Sequence, residues 1–321
     1  MNEQIRADGL TKSYGGVRVV DGVGLRVPAG TVFALLGPNG AGKTTIVRIL
    51  ATLTAPDGGT ARVAGHDVVA DRGAVRSRIS LTGQYAAIDE LQTGRENLEM
   101  MGRLRRLRGR AARARAAELL ERFDLTEAAD RRVSGYSGGM RRRLDIAAGL
   151  VGTPEVIFLD EPTTGLDPRS RQAMWALVSG LAATGVTVFL TTQYLEEADR
   201  LADTIAVLDR GRIVAEGSAR ELKRRVGGAR LELQATDAAT YHDLIDALRD
   251  RVVHADRGSL TLGVATDGGA SDARALFDEI DPDAIRIASF ELRTASLDDV
   301  FLSLTGDRLH GHAAESEIAH A

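Results

Sequence analysis

Phe33-Ala34-Leu35-Leu36-Gly37-Pro38-Asn39-Gly40-Ala41-Gly42-Lys43-Thr44-Thr45-Ile46-Val47-Arg48-Ile49-Leu50 decides the fold. A short apolar run ending at Leu36 reads as a buried strand, and Gly37 breaks it. From Gly37 the order is glycine, four residues, Gly42, Lys43 and Thr44, the phosphate-loop pattern G-x-x-x-x-G-K-[ST]. Ile46, Val47, Ile49 and Leu50 then take up a helical period. The loop therefore stands between a strand and a helix, the context the pattern requires. Gly37, Gly40 and Gly42 let the backbone curl and aim N–H groups inward at phosphate oxygens. The helix starting near Gly42 adds its positive dipole end. Lys43 supplies a point charge for the β and γ phosphates, and the Thr44 hydroxyl is a Mg²⁺ ligand of the right kind. These features point to a nucleoside triphosphate, not an ordinary glycine-rich turn.

The rest of the composition narrows the setting. A chain of 321 residues has room for one large or two modest domains. A net charge of −4 gives no bulk electrostatic case for nucleic acid. With no cysteine, disulfides, thiol catalysis and cysteine-based metal sites are excluded, which suits a reducing cytoplasm. The N-terminus lacks the apolar core of a secretory signal. No apolar run approaches the ~18–20 residues of a membrane span. A membrane role has to come through a partner.

Before the loop, residues 3–27 read as two or three short strands, with Gly15-Gly16 as a hairpin turn. Tyr14, just ahead of that turn, has two readings: an exposed aromatic that stacks on a base, or a strand aromatic packed on the core. Thr60 to Val69 is strand-like around Gly65, and Ile79 to Thr82 is a short buried strand. Gln84 follows at its end, where it either touches Mg²⁺ or water or is merely solvated. Residues 94–130 are helix-rich. Their run Arg103, Arg105, Arg106, Arg108, Arg110, Arg113 and Arg115 is most simply a solvated face; an anionic membrane or a partner's acidic loop comes next. Nucleic acid comes last, because no aromatics are interleaved.

Ser137-Gly138-Gly139-Met140-Arg141 opens another helix, with Ser137 as N-cap. Glycines in a first turn oppose helix propensity, which makes sense if something large approaches the backbone there. Val156 to Leu159 is a strand apolar on both faces, ending in Asp160-Glu161. The first acid can serve a Mg²⁺ shell and the second can deprotonate a water; unpaired buried carboxylates are costly and rarely idle. Val186 to Leu190 is a further apolar strand, ending in Thr191-Thr192-Gln193. Beyond about residue 224 the pattern changes, with strands expected at 229–235, 259–265 and 284–292 and helices at 241–253, 271–280 and 297–304. Ser296 and Asp299 form a capping box for the last helix. His310, His312 and His320 lie in a polar tail that reads as a frayed terminus.

From about residue 3 to 220 the chain resembles an ABC-type ATP-binding subunit, through the phosphate loop, Gln84, Ser137-Gly138-Gly139-Met140-Arg141, Asp160-Glu161 and Gly165-Leu166-Asp167 in that order. Leu190 to Asp199, Tyr136 to Arg143 and Ser296 to Leu302 are similar to the daunorubicin/doxorubicin-resistance ATP-binding subunits of actinobacterial exporters, which extends the likeness to about residue 306. The resemblance implies an α/β fold: a P-loop NTPase domain over 1–224 with a helical subdomain at about 90–150. A small α+β accessory domain over 225–306 and a disordered tail over 307–321 would follow.

It also implies the roles. ATP is held by Gly37, Pro38, Asn39, Gly40, Ala41, Gly42, Lys43, Thr44 and Thr45, with Tyr14 on the adenine. Mg²⁺ is met by Thr44, Gln84 and Asp160, Glu161 is the base, and Ser137, Gly138 and Gly139 cover the γ-phosphate of a second copy in a head-to-tail homodimer. A separate polytopic membrane permease would complete the exporter, with this chain peripheral on the cytoplasmic face. Two departures stand out. Met140 occupies a position where Gln is commoner. Gln193 stands where most of the wider family has His, and Gln cannot carry a proton. A non-transport ATPase acting on DNA or ribosomes, and an ATP-dependent sequestration or scaffold protein, remain the alternatives.

Overall fold

The computed structural model describes residues 3–83, 88–226, 229–266, 268–293 and 296–305. The chain divides into two compact units, Met1–Ser218 and Ala219–Ala321. The expected break near 224 stands six residues past that division.

The first unit opens with β1 (Glu3–Tyr14), β2 (Val17–Pro28) and β3 (Val32–Leu36), followed by α1 (Lys43–Leu50), β4 (Gly58–Val63), β5 (His66–Asp67), α2 (Arg72–Arg78) and β6 (Ile79–Thr82). Next come the helices α3 (Gly94–Leu104), α4 (Gly109–Arg122) and α5 (Gly138–Leu150), then β7 (Val156–Asp160) and α6 (Pro168–Ala183). The unit closes with β8 (Thr187–Thr192), α7 (Leu195–Leu201), β9 (Thr204–Asp209) and β10 (Arg212–Gly217).

Two sheets result. β2-β1-β4-β5 is antiparallel, and β10-β9-β3-β8-β7-β6 is parallel apart from its edge strand β10. Where two or three short strands are expected before the loop, β1 and β2 are long and turn at Gly15-Gly16, both at positive φ. The order of the parallel sheet explains the apolar runs. β3, β7 and β8 lie inside it, and every one of their residues is buried. Phe189 of β8 packs between Phe33 and Phe158, with ring centroids 5.2 and 5.6 Å away. Such strands need no polar face, so their polar residues collect at the C-terminal ends, where sites form in parallel sheets.

Helices α3, α4 and α5 form the expected helical region. Thr93 caps α3 in a reciprocal capping box with Glu96. Arg103, Arg105, Arg106, Arg108, Arg110 and Arg113 are exposed around the α3–α4 turn, while Arg115 is half-buried and donates to the Leu150 carbonyl at 2.8 Å.

In the second unit α8 (Ala219–Val226) precedes β11 (Arg230–Ala235), α9 (Ala238–Ala247), β12 (Val252–Asp256), β13 (Thr261–Ala265), α10 (Ala270–Ile280), β14 (Ile287–Arg293) and α11 (Leu297–Thr305). Its antiparallel sheet runs β12-β13-β11-β14. Leu231, Leu233, Leu262 and Val264 of the sheet meet Tyr241 and Leu244 of α9 and Leu276 and Ile280 of α10 in one core. α8 packs against α11. The capping box at Ser296 forms as the sequence suggests: the Asp299 amide donates to Ser296 Oγ at 3.1 Å, and the Ser296 amide donates to Asp299 Oδ2 at 2.8 Å. The helix expected over 241–253 is α9, which ends at Ala247; residues 248–251 turn, and Val252 and Val253 already belong to the edge strand β12.

Candidate nucleotide site

Gly37 leaves the end of β3 and is held there when its amide donates to the Thr192 carbonyl of β8 at 3.2 Å. The three loop glycines serve different purposes. A Cβ on Gly37 would stand 2.4 Å from the Leu208 carbonyl oxygen, so this residue is small because β9 passes close by. Gly40 adopts φ +81° with open space around it. Gly42, the N-cap of α1, combines φ +109° with a Cβ position 2.6 Å from the Val19 carbonyl oxygen. Only the last two need glycine for their backbone conformation.

Lys43 is almost wholly buried, with a side-chain exposure of 4%. Its ammonium donates to the carbonyls of Gly37 at 2.7 Å and Pro38 at 3.2 Å and lies 3.4 Å from Glu161 Oε1. Burial pulls its pKa down, while Glu161 and Asp160 push it back up. The Thr44 hydroxyl donates to Asp160 Oδ1 at 3.4 Å. Pro38, Asn39, Gly40, Gly42, Lys43, Thr44, Thr45, Val19 and Glu161 line a cleft of about 220 Å³. Ala41 is buried beneath the loop, its carbonyl accepting from the Gly211 amide at 3.0 Å.

The acids stand at the C-terminal end of β7, next to β8 in the sheet: Asp160 is its last residue and Glu161 the first beyond it. Thr191 of β8 organises them: its hydroxyl donates to Asp160 Oδ1 at 2.5 Å, and its carbonyl accepts from the Glu161 amide at 3.1 Å. Asp160 is thus a buried carboxylate met by two hydroxyls, the arrangement burial demands. Glu161 takes φ +48°, a left-handed conformation that costs a non-glycine residue about 1–3 kcal/mol and tends to mark functional positions. The turn directs its carboxylate to Lys43 on one side and Thr164 on the other, 3.4 Å from each.

A second cleft, of about 470 Å³, has Glu161 in its wall together with Gly138, Arg141, Arg142, Thr164, Gly165 and Leu166. Ser137 caps α5 by accepting from the Met140 amide at 3.3 Å. The two glycines that follow differ. A Cβ on Gly139 would fall 2.6 Å from Ser170 Oγ, whereas one on Gly138 would meet nothing within 4 Å among the described residues. Packing among the described residues accounts for Gly139 and not for Gly138.

Gln193 is half-buried in the bend between β8 and α7, next to Thr192. Tyr14 is 46% exposed, so it is not a core aromatic, and the Lys12 ammonium lies 5.6 Å from its ring centroid. Gln84 lies outside the described residues, as does the tail that carries His310, His312 and His320.

Three residues of this region are not evident from the sequence. Thr191 is one; a polar residue ending an apolar strand was its only signal. Arg142 is another, its guanidinium 13% exposed and bonded to three backbone carbonyls. Glu197 is the third: it is fully buried on α7, and Trp175 Nε1 donates to its Oε1 at 3.3 Å. Burial pushes its pKa up, against the pull of Thr192, Thr163, Trp175 and Arg171.

A parallel sheet with a phosphate loop after β3, adjoining carboxylates after β7 and a capped glycine start on α5 defines a P-loop ATPase of the ATP-binding-cassette class. Known proteins agree. The ABC transporter family model matches residues 20–164, and the model for the C-terminal domain of DrrA1-3-like ATP-binding proteins matches residues 217–305. The daunorubicin/doxorubicin resistance ATP-binding protein of Streptomyces peucetius is 53% identical, over 98% of this chain and 97% of the relative. The doxorubicin resistance ATP-binding protein of Mycobacterium tuberculosis is 49% identical, over 94% and 93%. A Nod factor export ATP-binding protein of Ralstonia nicotianae is 39% identical, over 94% of each. Among solved structures, a dimeric ATP-binding cassette in a post-hydrolysis state with ADP and Pi matches with TM-score 0.61 and 26% identity, over 67% of this chain and 98% of that one. The chain belongs to the ATP-binding proteins of ABC transporters and, within them, to the group containing the daunorubicin and doxorubicin resistance proteins. It is accordingly an ATP-binding protein and an ATPase.

Proposed function

We propose that the chain is the ATP-hydrolysing subunit of an exporter. ATP-driven closure of two copies, head to tail, would drive efflux of a drug or hydrophobic natural product through a separate polytopic membrane subunit. The observation that carries the reading is the meeting of loop and acids: Lys43 Nζ lies 3.4 Å from Glu161 Oε1, and Thr44 Oγ1 lies 3.4 Å from Asp160 Oδ1. In this reading the backbone amides of Gly37 to Thr45 and the Lys43 ammonium bind the phosphates, and Tyr14 stacks on the adenine. Glu161 takes the proton of the attacking water, and Gln193 orients the γ-phosphate by hydrogen bonding without carrying charge.

Among the described residues, no group of three or more His, Asp or Glu could hold a metal ion unaided. That fits Mg²⁺, which typically takes only one or two protein ligands beside substrate phosphates and water. Thr44 and Asp160 would hold it, joined by Gln84. Bound there, it would neutralise charge on the β- and γ-phosphate oxygens.

The open space at Gly138 supports the dimer, since no packing among the described residues calls for glycine there. No described helix is long and apolar enough to cross a membrane. In an exporter the chain would sit peripherally on the cytoplasmic face, bound to its permease. Relatives named for daunorubicin or doxorubicin resistance are 49–53% identical, against 39% for Nod factor export, which favours an anthracycline-like cargo. The test has two parts. Wild type should hydrolyse ATP and Glu161→Gln should bind it without turnover; equal rates would remove Glu161 as base. Affinity purification from membranes should recover a multi-span protein whose presence makes the ATPase respond to anthracyclines; recovery of none would favour a non-transport role.

A further inference from the structure

Arg142 sits four residues after Gly138 on α5, and its side chain turns inward. Nη1 donates to the Gly83 carbonyl at 2.5 Å, Nη2 to the Asp160 carbonyl at 2.9 Å, and Nε to the Pro162 carbonyl at 3.2 Å. Asp145, one turn along the helix, has Oδ2 3.7 Å from Nη1. One planar group therefore joins three segments: the helix that begins at Ser137, the end of β6 just before Gln84, and the turn after β7.

Two of the three carbonyls, those of Asp160 and Pro162, flank Glu161. That residue is the one held at φ +48°, a conformation that persists only when its surroundings fix it. Thr191 braces the turn from β8 through the Glu161 amide. Arg142 braces it from the other side. Its neighbours Arg141 and Arg143 take different partners: Arg141 bonds the Tyr136 carbonyl and Glu90, and Arg143 the Phe123 carbonyl and Asp124. The three adjacent arginines are thus not equivalent.

We propose that Arg142 is a positioning residue for ATP hydrolysis: its guanidinium locks the Glu161 turn in the geometry for proton abstraction and ties that turn rigidly to the Ser137 helix. This rests on the reading of Glu161 as the base. It goes further, because in a head-to-tail dimer the Ser137 helix of a subunit attends the other copy's nucleotide. Arg142 then makes the base of one site respond to closure over the other. Guanidinium is suited to the task, having five donors in a fixed fork, whereas an ammonium can reach the same carbonyls only as a point donor.

The test compares wild type, Arg142→Lys and Arg142→Gln, with Arg143→Lys, outside the cleft, as the adjacent-arginine control. Steady-state ATP hydrolysis, ATP binding by a fluorescent analogue and thermal melting are measured on the same preparations. Displacing a reacting group by ~1 Å costs on the order of 100-fold in rate. The proposal therefore expects both Arg142 variants to lose 10-fold or more in kcat. KM and analogue affinity should stay within about threefold, Lys should recover less than half of the loss, and Arg143→Lys should resemble wild type. Two results overturn it: kcat within about twofold of wild type in Arg142→Lys, or a fall in kcat that merely follows lost stability or affinity. The underlying reading fails differently, through a Glu161→Gln protein that still turns over.

Discussion

Gly138→Ala separates a glycine needed by the chain from one needed by a partner. A methyl group at this position meets nothing within 4 Å among the described residues, and no left-handed φ stands in its way. Position 138 is the first residue of α5 after the Ser137 cap. Alanine is favoured over glycine in helices by up to about 1 kcal/mol, so the variant should melt at the wild-type temperature or a few degrees above it. Its own phosphate loop is untouched, so ATP affinity of the monomer should be unchanged. Where a phosphate oxygen of a second copy would approach the Gly138 backbone, however, the methyl intrudes. A displacement of ~1 Å there lowers hydrolysis on the order of 100-fold. Thermal melting, nucleotide titration and steady-state ATPase on one preparation check all three points. A variant that hydrolyses ATP at the wild-type rate would refute the claim that a phosphate comes close at Gly138.

Other outcomes follow from single observations. Gly42→Ala adds a backbone clash with Val19 to a left-handed φ, so it should lose about 2–5 kcal/mol in urea unfolding, with ATP binding impaired; a loss below about 0.5 kcal/mol would contradict the packing account. Gln193→His introduces a group that titrates near pH 6.5, so ATPase should gain a slope between about pH 5.5 and 8 that wild type lacks; an unchanged rate and profile would remove Gln193 from the γ-phosphate. Glu197 has a folded-state pKa raised by burial above the ordinary 4.5. Its stabilising contribution is full below that value and is lost as pH rises through the folded pKa, so Glu197→Gln should melt higher than wild type at neutral pH, with the gap closing in acid. A gap independent of pH would mean that Glu197 does not titrate in this range.

The parts of the site legible in the sequence were local. Gly37 to Thr45, the Ser137 cap and Asp160-Glu161 after an apolar strand each carry their signal within a dozen residues. The apolar runs of β3, β7 and β8 were legible because interior strands of a parallel sheet need no polar face. What escaped depends on distant contacts. Thr191 reaches Asp160 across 31 positions, and nothing in its own neighbourhood says so. Arg142 lies among three consecutive arginines, and only the way α5 packs decides which one turns inward. β12 is an edge strand with mostly exposed residues, so it shows no alternation and its region reads as more helix. α2 is a seven-residue helix with a single buried residue, Val75, too few for a helical period.

The central claim, that a working site needs two copies of this chain, is tested most directly by sedimentation of Glu161→Gln with and without MgATP. The account predicts a single species at the monomer mass of 34.2 kDa without nucleotide, a doubling of mass when MgATP is added, and loss of that doubling when Gly138→Ala is introduced into the same chain. A protein that binds MgATP stoichiometrically yet stays at the monomer mass would contradict it.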